Sequence, residues 1–153
     1  LVIENENYLR KRRKGVLIIS TSEAFVIHEK DRSLESWEDP SRGTLKWKTL
    51  VSNDITPSDS MTAGIGELEP GMDNRLEVHA HEQPEIYYLL EGKGVVFLDG
   101  SSYDLRPGHA VFIPSNARHG IQNTGEGPLR FFYVFPADRY SEVQYSFTGG
   151  REK

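Results

Sequence analysis

Short apolar or alternating runs recur between turn signals along most of this chain, and that rhythm constrains the fold more than any other feature. Thr44–Val51, Met61–Leu68, Leu76–His81, Ile86–Leu90, Val95–Leu98, Tyr103–Leu105, Ala110–Ile113, Arg118–Asn123, Leu129–Phe135 and Val143–Phe147 read as strands. Gly92-Lys-Gly94, Asp99-Gly100, Pro107-Gly108, Pro114–Ala117 and Gly125–Pro128 separate them. Asp-Gly between two apolar runs favours a tight hairpin, so the strands flanking Asp99-Gly100 are expected to pair. The pattern predicts an all-β protein, a small antiparallel β-barrel.

The chain's 153 residues, 37% apolar and 27% charged, suit one globular domain. The barrel is expected over residues 44–148. Residues 1–43 differ, with mixed charge around Val16–Ile19 and Ala24–Ile27 and a polar stretch, Glu29–Gly43, that holds Trp37. They predict an N-terminal extension with a helix and an edge strand, packing on the barrel or on a partner subunit. The chain begins at Leu1, so residues are expected to precede it. No stretch approaches the roughly 20 apolar residues of a membrane helix, and no signal-peptide pattern opens the chain, which predicts cytoplasmic residence and no membrane partner. A net charge of −5 argues against nucleic acid as a partner. The basic run Arg10–Lys14 stands beside Glu4 and Glu6 and reads as a solvated segment. Cysteine is absent, so any metal must be held by nitrogen and oxygen.

Three histidines and a glutamate supply those atoms: His79-Ala-His81-Glu-Gln-Pro-Glu85, then His119. On a strand, His-x-His points both rings to one face because side chains alternate with period 2. Three imidazoles and a carboxylate suit one divalent transition metal and leave coordination positions open for a small-molecule substrate. Iron(II) and manganese(II) lead the candidates, with nickel(II), cobalt(II) and zinc(II) also compatible. His28 and His109 lack such company and read as surface residues.

The flanks of these residues resemble the two conserved stretches of the cupin superfamily. The first runs from Gly71 through His79, His81 and Glu85 to Gly92, the second from Gly108 through Pro114, Asn116 and His119 to Asn123. Two departures stand out: a longer gap after Gly71, and Asn116 where the family usually has Gly. Asn tolerates the left-handed conformation a tight turn needs. The resemblance covers about residues 60 to 136 and implies a jelly-roll barrel with His79, His81, Glu85 and His119 around one metal. Cupins of this kind often dimerise through a swapped N-terminal strand, which implies a homodimer.

Strand parity places Tyr87 on the face of Glu85 and Leu89, toward the cavity, where a nearby cation would favour its phenolate as a general base. Packing is the other reading of Tyr87. The spacing His-x-His-x3-Glu-x-Tyr with a later His is similar to that of the small cupin lyases that cleave dimethylsulfoniopropionate to dimethyl sulfide and acrylate. Carried over, it implies that Tyr87 removes the proton α to the substrate carboxylate, with an aromatic ring such as Tyr88, Phe97 or Trp47 near the sulfonium. Iron-dependent dioxygenases, isomerases and decarboxylases of the superfamily share the ligand set, and a non-catalytic small-acid binder also fits. Asn123 reads as a structural polar contact. Arg75 and Arg130 are candidate carboxylate anchors, with surface arginine the plainer reading. Tyr133, Phe97, Phe112 and Trp47 read as core or cavity lining.

Overall fold

The computed structural model describes residues 9–11, 17–19, 22–71 and 73–148, the first two segments by their backbone alone. The strands are β1 (Leu9–Lys11), β2 (Leu17–Ile19), β3 (Glu35–Ser36), β4 (Lys46–Val51), β5 (Thr62–Leu68), β6 (Arg75–Ala80), β7 (Glu85–Glu91), β8 (Gly94–Leu98), β9 (Ser101–Leu105), β10 (Ala110–Ile113), β11 (His119–Asn123), β12 (Leu129–Phe135) and β13 (Ser146–Phe147). One sheet has the order β10-β7-β12-β5-β4-β3, a second β13-β6-β11-β8-β9, and all their pairings are antiparallel. β1 and β2 form a separate antiparallel pair. The fold is an all-β jelly roll, as the rhythm of short strands predicts.

Alternation along the strands builds the core. In β12, Leu129, Phe131, Tyr133 and Phe135 point inward, and in β7 so do Glu85, Tyr87 and Leu89, while Ile86, Tyr88 and Leu90 face outward. Asp99 and Gly100 both take positive φ, 45° and 86°, and join β8 to β9 in the expected hairpin. Asn116 adopts φ 62°, the left-handed turn expected where the family carries Gly.

One strand breaks simple alternation. In β6, Leu76 and His79 are both buried although three residues apart, because the register against β11 slips between the pairs His119↔His79 and Ile121↔Leu76. This bulge turns His79 into the barrel, as bulges next to functional sites do.

Residues 29–43 contain no α-helix. Two single 3-10 turns, Glu29–Asp31 and Pro40–Arg42, stand where a helix was expected, capped by the side chains of His28 and Asp39. This stretch lacks an apolar stripe to bury, and tertiary contacts hold it instead: β3 extends the larger sheet, Glu29 pairs with Arg130 on β12, and Trp37 packs on Trp47 at 4.8 Å. The basic run Arg10–Lys14 lies largely outside the described residues, and its side chains are not described. The expected strand Val143–Phe147 pairs only at Ser146–Phe147, after a 3-10 turn at Tyr140–Glu142.

Candidate metal centre

His79, His81 and His119 converge between the two sheets, all buried, with ligand atoms within 4.8 Å of one another. His79 and His119 face each other across adjacent strands. His81 lies just beyond β6, on the same side as His79, and Glu85 opens β7 in the facing sheet.

Each imidazole is oriented by a backbone carbonyl. Nδ1–H of His79 donates to Glu77 (2.9 Å), that of His81 to Gln83 (2.8 Å) and that of His119 to Ala117 (2.9 Å). With the proton fixed on Nδ1, every Nε2 presents a lone pair to the interior. Glu85 Oε2 lies 3.0 Å from His81 Nε2 and 3.2 Å from His119 Nε2. Two bare imidazole nitrogens beside a carboxylate are three acceptors facing one another, an arrangement that a proton or a metal ion among them relieves. Burial, then the neighbouring His119, push the His79 pKa down to about 3, so this ring is neutral, as a metal ligand must be. The three buried imidazoles fit a divalent metal ion, and the donor set leaves its identity open.

Beside this cluster lies a small cavity, with about 30 Å³ of free space, walled by Trp37, Trp47, Tyr87, Tyr133, Tyr140, Tyr145, Phe131 and Phe135 with His79 and Glu85. Among the described residues, no lysine or arginine lines it. Burial, then the Glu85 carboxylate two residues away, push the Tyr87 phenol pKa well up. Burial likewise raises Tyr133, Tyr140 and Tyr145. Trp37 Nε1, Trp47 Nε1 and the Tyr133 hydroxyl are buried donors without a well-formed hydrogen bond. The cavity thus offers neutral donors and aromatic faces.

Several sequence candidates lie elsewhere. Arg130 is held outside the cavity by Glu29, Glu67 and Glu91, and Arg75 pairs with Glu77, so neither reaches the cavity as an anchor. Tyr88 and Phe112 are exposed, and Phe97 does not line the cavity, whereas Trp47 and Tyr133 do. Asn123 donates to the carbonyls of Leu68 and Gly127, both at 2.9 Å, and accepts from Gly125 N, a structural clamp on the turn. His28 and His109 accept backbone N–H bonds in local turns. Trp37, Tyr140 and Tyr145 are cavity residues that sequence reasoning did not select. Trp37 and Tyr140 sit in irregular segments, where no periodicity assigns a face, and Tyr145 lies in the expected strand Val143–Phe147 ahead of the two residues that pair.

A double-stranded jelly roll with buried imidazoles converging between its sheets is the architecture of a metal-binding cupin. Residues 64–135 match the family described as Cupin domain. Dimethylsulfoniopropionate lyase DddW of Ruegeria pomeroyi is 38% identical over 115 residues, which cover 75% of this chain and 74% of the lyase. The chain belongs to the cupin family. The oxalate-binding protein of Thermotoga maritima is 31% identical over 94 residues, 61% of this chain and 76% of that protein. In fold, the polyketide cyclase RemF of Streptomyces resistomycificus superposes with a TM-score of 0.71 at 23% identity, covering 85% of this chain and 89% of the cyclase. Among the described residues, no helix is long and apolar enough to cross a membrane.

Proposed function

We propose that this cupin is a metal-dependent lyase that cleaves dimethylsulfoniopropionate to dimethyl sulfide and acrylate. His79, His81, Glu85 and His119 hold one divalent metal ion, with iron(II) and manganese(II) foremost, and Tyr87 removes the proton α to the substrate carboxylate. The observation that carries this reading is the position of Tyr87, buried in the wall of the cavity with Glu85 and His79, its ring 6.1 Å from that of His119. The 38% identity to DddW supports the same substrate.

A divalent cation in this site supplies positive charge that polarises the substrate carboxylate and favours a phenolate on Tyr87. As Tyr87 takes the α proton, the C–H electron pair forms the C=C bond, and the Cβ–S bond breaks with its pair passing to sulfur. Tyr140 and Tyr145 offer π faces to the sulfonium, while the Arg42 guanidinium already covers Trp37 at 4.9 Å. The unpartnered N–H groups of Trp37 and Trp47 suit the carboxylate end.

Likeness to the oxalate-binding protein supports a second reading, a cupin that binds a small acid without turning it over. Apo protein reloaded separately with iron(II), manganese(II), nickel(II), cobalt(II) or zinc(II) separates the two when assayed for headspace dimethyl sulfide. Metal-dependent release without oxygen consumption supports the lyase. Confirmed loading with no release from any of the five removes this substrate, and a rise in melting temperature with oxalate alone then supports binding.

The outer face of the larger sheet carries exposed Ile86, Tyr88, Leu90 and Phe112, an apolar surface that a second copy can cover by two-fold self-pairing. A homodimer through this face predicts that Tyr88→Lys lowers the mass measured by light scattering to that of a monomer. An unchanged mass removes this interface.

A further inference from the structure

Elimination from a sulfonium zwitterion yields a neutral sulfide, a carboxylate and one proton, so a proton must leave the cavity in every turnover. We propose that Tyr133, Thr49 and Glu35 form the path by which it reaches solvent. The inference rests on the lyase reading above, and its geometry is a single row across the larger sheet. Tyr87 on β7 pairs with Tyr133 on β12, Tyr133 with Gly64 on β5, and Gly64 with Thr49 on β4. Gly64 leaves a gap in this row. The Tyr133 hydroxyl fills it, 2.5 Å from where a Cβ would stand, and so reaches across β5 toward Thr49.

Thr49 is buried, and its Oγ1 donates to Glu35 Oε1 at 2.8 Å; Glu35 also receives the Thr49 N–H at 3.4 Å. Glu35 itself, on the edge strand β3, is exposed. The Tyr133 hydroxyl is buried without a well-formed hydrogen bond, which leaves its proton free to turn to the Thr49 oxygen. A proton arriving on the Tyr133 oxygen displaces that residue's own proton to Thr49 Oγ1. Thr49 passes its proton to the Glu35 carboxylate, and Glu35 gives it to water. Rotation of the two hydroxyls resets the path.

Thr49→Val keeps the shape and removes the hydroxyl, and Glu35→Gln keeps an acceptor for Thr49 but cannot carry the proton. With metal-loaded enzyme at low buffer concentration, each is expected to lower kcat about tenfold or more while KM and metal content stay at the parent value. Added imidazole buffer, a mobile proton carrier, should restore much of the lost kcat in the variants and leave the parent unchanged. Parental kcat in both variants at low buffer overturns the path alone, as does a loss that imidazole does not relieve. A metal-loaded parent that releases no dimethyl sulfide overturns the lyase reading, and the path with it. Because Glu35 is exposed, Glu35→Gln keeps the test decisive if Thr49→Val fails to fold.

Discussion

The Tyr133 hydroxyl occupies the space that a side chain on Gly64 would fill: an ideal Cβ there lies 2.5 Å from that oxygen and 2.4 Å from the carbonyl oxygen of Lys48. Phe131 sits over Gly66 in the same way, so two glycines of β5 receive two rings of β12. The first clash is with the end of a side chain, the second with backbone in the neighbouring strand. Gly64→Ala is therefore expected to destabilise the fold by about 1–3 kcal/mol, the usual cost of overpacking. Denaturant unfolding measures it. Adding Tyr133→Phe should recover only part of the loss, because the Lys48 carbonyl remains; full recovery would mean that the strands themselves can part.

The metal centre gives a second expectation. His81→Ala removes one imidazole and leaves a gap beside Glu85, so metal per chain after dialysis should fall about tenfold or more. His109→Ala, far from the cavity in its Pro-Gly turn, should keep the parent's metal. Elemental analysis of both decides the point, and equal metal in His81→Ala and parent would remove His81 from the ligand set.

Much of this architecture was legible because it is periodic. Ala110–Ile113 and Leu129–Phe135 have the same limits in the sequence reading and in the structure, and Asp99-Gly100 forms its hairpin, since strand alternation and turn chemistry are local properties. The candidate ligands come together from one strand pair, β6 with β11, and from Glu85 in the facing sheet. What escaped lies where no period operates. Trp37 is delivered by an irregular segment between two 3-10 turns, and Tyr140 and Tyr145 by the chain after β12, where tertiary hydrogen bonds decide orientation. The β6 bulge also defeats parity, burying Leu76 and His79 together.

Tyr87→Phe tests the base directly. The ring fills the same space against Phe131, 4.6 Å between centroids, so folding and metal content should stay near the parent's. Removal of the hydroxyl should lower turnover of dimethylsulfoniopropionate by roughly 10²-fold or more, the usual weight of a general base. Activity near the parent's would return Tyr87 to a packing role and move the search for the base to the other phenols of the cavity.

Asp54 governs how the segment after β12 is held over that cavity. Its carboxylate accepts from the Ser141 hydroxyl (2.9 Å), Ser141 N–H (3.1 Å) and the Ser52 hydroxyl (3.3 Å), while Ser52 Oγ receives the Tyr140 N–H at 3.0 Å. Burial pushes the Asp54 pKa up, but the Ser141 backbone and hydroxyl bonds, then Ser52, outweigh it and leave it below the ordinary 3.8. A carboxyl depressed in the folded state stabilises the fold above its unfolded pKa, and the contribution fades as pH falls through the folded value. Asp54→Ala should thus cost about 1 kcal/mol at neutral pH, a figure discounted for the exposure of the group. Melting temperatures of parent and variant should draw together as the pH falls below 3.8 and meet once it passes the lower folded value. Because Tyr140 and Tyr145 ride on this segment, the variant should also raise KM more than it lowers kcat, by loosening the cavity wall and leaving Tyr87 and the imidazoles in place. A gap in melting temperature that does not narrow with falling pH would show that Asp54 acts without its charge, and that Ser52 and Thr56, bonded to each other at 2.8 and 2.9 Å, hold the segment instead.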